Sequence, residues 1–142
     1  MAYDQQNKRF AHSNKVVIAS HSFTNDGSSS TTLYDFTKQT TLANINSIKS
    51  DQNSQLVPLV RLFDYSRLNV RSMDELVVPP ALISLTINRV NSRLALIDDK
   101  VCVSKTFNIN LTAVATAFEE EVLSQFLENI RNTIENPFTI SL

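Results

Sequence analysis

Glycine is almost missing from this chain. One, Gly27, occurs in 142 residues, against a usual frequency of about 7%. A glycine-rich phosphate loop and a dinucleotide fingerprint both need several glycines at fixed spacing, so neither can exist here. Cysteine is also single, so Cys102 has no intrachain disulfide partner and is expected as a small buried hydrophobe in a reducing compartment. Histidine is limited to His12 and His21, and His21, beside a strand end, is expected at the surface. No HExxH, GxSxG or paired-cysteine metal motif occurs. The tight acidic clusters are Asp98-Asp99, which reads as a turn, and Glu119-Glu120-Glu121, which reads as a helix start. With no base, nucleophile or metal-spaced ligands in sight, the sequence predicts no enzyme, no cofactor and no small-molecule substrate. Long apolar runs are lacking too. None approaches the roughly 18 residues that span a bilayer, and the first 15 residues have no apolar core of the kind a secretory signal needs.

What is present is a composition suited to one globular domain, expected over 1–142 with residues 1–14 as a loose arm. Apolar residues make up 42% and charged ones 19%, which argues against disorder. Net charge is -1 but unevenly placed. Residues 1–115 carry 12 Lys and Arg against 9 Asp and Glu, while 116–142 carry Arg131 against five glutamates. The molecule is therefore expected to have two electrostatically different faces.

Periodicity supplies the elements. KVVIAS (15–20) and TTLYDF (31–36) flank the turn-forming cluster TNDGSSST and predict an N-terminal hairpin. TTLANINSI (40–48) reads as a weaker strand or a helical turn, and 50–55 as a loop. From Val60 to Arg71 apolar residues alternate with Arg61, Phe63, Tyr65, Arg67, Asn69 and Arg71. RSMDELVVPP is a connection. ALISLTINRV (81–90) alternates again, with Ser84, Thr86 and Asn88 on one side. Residues 91–100 read as a loop with or without a short strand. A long strand is predicted over 101–114, with Ser104, Thr106, Asn108, Asn110 and Thr112 sharing its polar side.

The period then changes. Thr116 and Glu119 have capping-box spacing, and Phe118, Val122, Phe126, Ile130 and Ile134 recur every four residues, with Leu123 and Leu127 widening the stripe. This predicts an amphipathic helix over 116–134, ended by Asn136-Pro137 and followed by the apolar tail FTISL. The order predicts an α+β fold: an antiparallel β-sheet with an N-terminal β-hairpin and a C-terminal amphipathic helix packed on one face. A single helix leaves apolar sheet area bare, so a partner's helix is expected to cover it, in a homodimer held by Phe118, Val122, Phe126 and Ile130, unless the FTISL tail and residues 40–48 cover it within one chain. The opposite sheet face would carry Arg61, Tyr65, Arg67, Thr86, Asn88, Ser104, Thr106 and Asn108. Three of its wider set of positions are Arg and none is acidic. Arg forks onto phosphate, Tyr offers a stacking ring, and Ser, Thr and Asn bond phosphate and base edges, so an RNA-binding face is expected.

FNINLTAVATAFEEEVLSQFLENIRNTIENP and ALISLTINRV, with the strand order before them, resemble the coat proteins of single-stranded RNA bacteriophages, the levivirus type. That resemblance implies an intertwined dimer, self-assembly into an icosahedral shell, and a sheet facing genomic RNA inside a virion assembled in the host bacterial cytoplasm. It also implies a translational repressor role through an RNA hairpin, and makes Asn91–Lys100 the loop lining the shell's symmetry axes. The alternative from the residues alone is a cytoplasmic RNA-binding regulatory dimer that does not assemble. Neither reading involves a membrane.

Overall fold

The computed structural model describes residues 2–4, 9–11, 16–36, 49–50 and 57–139. The predicted strand 40–48, the 50–55 loop beyond its first residue, and the last three residues of the tail lie outside them. Ten strands and one α-helix are described: β1 (Ala2–Asp4), β2 (Arg9–Ala11), β3 (Val17–Phe23), β4 (Ser29–Asp35), β5 (Lys49–Ser50), β6 (Val60–Asp64), β7 (Ile83–Ile87), β8 (Asn91–Ile97), β9 (Lys100–Thr106), β10 (Ile109–Ala113) and α1 (Glu120–Glu135). Six of the strands form one sheet in the order β10-β7-β6-β3-β4-β5, while β1-β2 and β8-β9 are separate ribbons.

The sheet is mixed, which corrects the antiparallel expectation. β3 and β4 form the hairpin suggested by the 24–31 turn, paired from Val17↔Asp35 to Phe23↔Ser29. β6, however, runs parallel to both of its neighbours, β3 and β7. Alternation shows that a strand is half buried but carries no information about direction, so the sequence pattern could not separate the two arrangements.

Direction has a consequence for the chain between β6 and β7. Parallel neighbours need a crossover of a dozen or more residues, most often a helix. Here the crossover is 65–82, and residues 72–78 have neither helix nor strand. Its backbone groups therefore have no ladder to satisfy them, and other partners must do so.

The two sheet faces follow from the register. Ile83 and Leu85 of β7 lie beside Val60 and Leu62 of β6 and opposite Ala113 and Leu111 of β10. With Leu82 they form the core under α1, against which Phe118, Leu127 and Ile130 pack. α1 thus packs on its own sheet. The stripe read from the sequence is split. Phe118 and Ile130 face the core, but Val122 and Phe126 are 54% and 37% exposed. The helix turns 100° per residue, so an every-fourth-residue series drifts around its axis, and Leu127, one of the two leucines that widen the stripe, takes the inward line. The helix also begins later than the capping box implied. Glu119 is the N-cap, with extended dihedrals and no side-chain cap bond, while Thr116 sits in a preceding turn.

The predicted strand 101–114 is two strands. β9 leaves the sheet and pairs with β8, and after Phe107 and Asn108 β10 pairs with β7. Residues 91–100 hold a full strand and a tight turn rather than a shell-lining loop. The turn residues Asp98 and Asp99 have φ of 51° and 59°. Positive φ at both central positions suits the right-handed twist of a two-residue hairpin.

Candidate functional site

The polar sheet face is closed over by the crossover. Ser84, Thr86 and Asn88 are each 1% exposed. The Met73 amide donates to Asn88 Oδ1 at 2.8 Å, and the Ser84 hydroxyl donates to the Leu76 carbonyl at 3.4 Å. Asn110 Nδ2 donates to Ser72 Oγ at 3.3 Å, the Met73 carbonyl at 3.3 Å and Asp74 Oδ1 at 2.6 Å. These residues are small, uncharged and polar because they serve the backbone and side chains of a crossover without secondary structure. A carboxylate or ammonium in their place would be buried and costly.

The other members of the expected RNA face are scattered. Tyr65 is buried at the end of β6, stacked on Phe23 at 4.7 Å, and its hydroxyl donates to Glu75. Burial, followed by that bond and the Glu75 charge, pushes its pKa up to about 12. Arg67 is exposed in the turn after β6. Ser104 and Thr106 stand on β9, outside the main sheet, where Thr106 Oγ1 accepts from Arg93 Nε at 3.1 Å. Asn108 is exposed between β9 and β10, and its carbonyl accepts from the Asn88 amide at 3.0 Å. Arg61 is half buried, with Nε shielded from solvent and without a hydrogen-bond partner.

Sequence reasoning passed over His21. It lies on β3 beside Phe63, half buried rather than exposed, with the two rings stacked at 4.6 Å. Nδ1 is hydrogen-bonded to Thr31 Oγ1 at 2.9 Å, and Nε2 is shielded without a hydrogen-bond partner. Burial and then the nearby Arg61 charge lower the imidazole pKa, opposed by the Glu75 charge. The balance favours the neutral ring. The signal available from sequence was the alternation of 17–23, which puts His21 in line with Val17 and Ala19, both 2% exposed.

A second feature is open. Between α1 and residues 105–110 runs a groove of about 810 Å³, with Phe107, Ile109, Leu127, Ile130 and Ile134 as apolar lining and Lys105, Glu128, Arg131 and Glu135 as charged lining. Arg131 is paired with Glu135 at 3.0 Å. No group of three or more metal-ligating side chains occurs among the described residues.

No family model and no curated relative matches the chain. Solved structures do. The dihydrolipoamide acetyltransferase of Azotobacter vinelandii, studied for the roles of a serine, a histidine and an asparagine in its catalytic mechanism, matches with a TM-score of 0.73 at 12% identity, over 99% of this chain and 62% of that one. The cubic core of a pyruvate dehydrogenase multienzyme complex matches equally, at 0.73 and 12% over 99% and 62%. A truncated catalytic core of the 2-oxoacid dehydrogenase complex of Thermoplasma acidophilum gives 0.68 and 12%, over 96% and 64%. At this identity the likeness is one of fold, and the chain spans under two-thirds of the length of these proteins.

The likeness overturns the phage-coat resemblance, and with it the RNA-packing shell, the regulatory RNA-binding dimer, the virion location and the non-enzyme expectation. The solved neighbours are metabolic enzyme components. The serine, histidine and asparagine named for the Azotobacter enzyme find no assembled equivalent among the described residues. In register His21 is followed by Phe63 and then Thr86. The strand of Ser84 and Asn88 is therefore two strands away, on the order of 10 Å.

Proposed function

We propose that this chain is an acyltransferase-type core domain, acting in transfer of an acetyl group to or from dihydrolipoamide. The observation that carries the reading is the match over 99% of the chain at a TM-score of 0.73 to an enzyme of that name. Moving an acetyl group between thiols needs a base to take the attacking thiol's proton, because the thiolate is the nucleophile and a free thiol has a pKa near 8.5. Among the described residues His21 suits that task best. Its lowered pKa keeps it in the unprotonated form a base requires. In the tautomer that donates Nδ1–H to Thr31 Oγ1, the Nε2 lone pair is left to accept a proton. Glu75, on the crossover, lies within electrostatic range of the ring.

The test is transfer of acetyl from a small thioester to dihydrolipoamide, followed by mass spectrometry of the acetylated dithiol. Wild-type protein is expected to turn over, and His21→Ala to lose about 10²- to 10⁴-fold. Activity should persist below pH 6.5, since the working imidazole titrates lower than its ordinary value. An inactive wild-type protein sinks the acetyl-transfer reading. An active His21→Ala variant keeps it and removes His21 from the role of base.

A further inference from the structure

Arg61 carries a positive charge that no carboxylate pairs with among the described residues. It is half buried on β6, and its Nε–H is shielded from water without a hydrogen-bond partner. A donor left in that state costs free energy, so it calls for a partner that the folded chain does not supply. The register says where it stands. Ala19 of β3 lies beside Arg61, and His21 lies beside Phe63. Paired residues of neighbouring strands share a face, and so do residues two apart on one strand. Arg61 and His21 are therefore diagonal neighbours on one face of the sheet, with Cα atoms on the order of 8 Å apart by the usual strand spacing and rise. Ala19, between them, has no polar side-chain atom to offer either one. The Arg61 charge is among the causes that lower the imidazole pKa, as a nearby cation must. Glu75, which acts on the same ring, accepts from the Tyr65 hydroxyl and forms no ion pair with Arg61.

Two shielded nitrogens thus lie side by side with opposite needs. In the tautomer that donates Nδ1–H to Thr31 Oγ1, His21 Nε2 offers a lone pair. Arg61 Nε offers an N–H and a fixed charge. Their complement is one group with a proton to give and another with an oxygen on which negative charge gathers. A thiol attacking a thioester is such a pair.

We propose that Arg61 is a further catalytic residue of acetyl transfer, holding the thioester oxygen while His21 takes the thiol proton. The proposal rests on the acyltransferase reading above. The attacking thiol gives its proton to His21 Nε2, and its sulfur bonds to the carbonyl carbon. The C=O electron pair moves onto the oxygen, beside Arg61. On collapse that pair re-forms the C=O bond, and the bond to the sulfur that first carried the acetyl group breaks. The departing thiolate takes the proton back from His21. Arg61 keeps its proton throughout, because guanidinium does not titrate in proteins. A donor fixed where charge develops stabilises the transition state more than the substrate, and most strongly where water is excluded.

The test combines steady-state kinetics, with S-acetyl-N-acetylcysteamine and dihydrolipoamide as substrates, and a nuclear magnetic resonance titration of the His21 ring. Arg61→Met keeps an unbranched chain but neither charge nor donor. Its kcat is expected to fall by about 10²- to 10³-fold with little change in KM. Arg61→Lys keeps the charge without the Nε donor and should fall between Arg61→Met and the wild-type protein. The His21 pKa should rise in Arg61→Met, since a cation that disfavours the imidazolium has gone. Circular dichroism checks the fold. An inactive wild-type protein overturns the acetyl-transfer reading and this proposal with it. An active wild-type protein with kcat unchanged in Arg61→Met overturns the role of Arg61 alone and leaves water as the partner of its Nε. A rise in KM at constant kcat assigns Arg61 to uniform substrate binding and overturns its catalytic role. A His21 pKa that does not move shows that the two groups are not neighbours and overturns it as well. Arg61→Lys as fast as the wild-type protein does the same, whether or not Arg61→Met folds.

Discussion

Asn88 offers the sharpest test of why the sheet's polar face is polar. Replacing it with Ala removes the acceptor of the Met73 amide, a 2.8 Å bond between a residue 1% exposed and a crossover with no ladder of its own. A buried amide left unsatisfied costs about 1–3 kcal/mol. Lost packing adds to this, while removing Nδ2, which is buried and unpartnered, returns part of it. The net expectation is a destabilisation of about 2 kcal/mol. With a urea m-value of about 2 kcal/mol/M, the unfolding midpoint falls by about 1 M. Hydrogen exchange gives a residue-level readout. The Met73 amide should be protected in the wild-type protein despite lying outside helix and strand, and should exchange far faster in Asn88→Ala. Asn108→Ala, at an exposed position, should move the midpoint by less than about 0.3 M. An Asn88→Ala midpoint within that same margin, with Met73 exchange unchanged, would refute the explanation of the polar face.

Other expectations concern turns and titration. Gly27 has φ of 83° with open space where a Cβ would stand, so Gly27→Ala should cost about 1–2 kcal/mol from the backbone alone, read as a lower thermal midpoint. Asp99 has φ of 59° in the tip of the β8–β9 ribbon, and Asp99→Gly should be neutral or stabilising by up to about 1 kcal/mol in the same measurement. His21 has a folded-state pKa below 6.5, depressed by burial and Arg61. The unfolded chain therefore takes up this proton first as pH falls, and stability is lost below about pH 6.5. Urea midpoints at pH 7.5 and 5.5 should show a smaller drop for His21→Phe, which keeps a ring against Phe63, than for the wild-type protein.

Local features were legible and their assembly was not. The 81–90 alternation correctly separated Ile83, Leu85 and Ile87 from Ser84, Thr86 and Asn88, because period two is a direct imprint of the pleat. The helix was legible from its apolar recurrence and its Asn136-Pro137 stop. The polar side, however, was read as facing outward, on the assumption that polar means solvated. Ser84 and Asn88 are polar for the opposite reason: they are sealed under a segment that needs donors and acceptors. Strand direction was the deeper loss. A strand's residues look the same whether its neighbour runs parallel or antiparallel, and the crossover that would have revealed the parallel pair contains no helix to announce itself. The break at Phe107 was equally silent, since alternation runs through it without a change of phase. His21 was passed over because a lone histidine has no motif around it; its surroundings, Thr31, Phe63 and Arg61, come from three separate segments.

The direction of β6 is what separates the mixed sheet from the antiparallel sheet first expected, and backbone nuclear Overhauser effects measure it directly. The account predicts parallel-type contacts from Leu62 to both Ser20 and Leu85, its partners on β3 and β7. Close Hα–Hα contacts of the antiparallel kind between β6 and either neighbour would contradict the fold, and with it the acyltransferase reading.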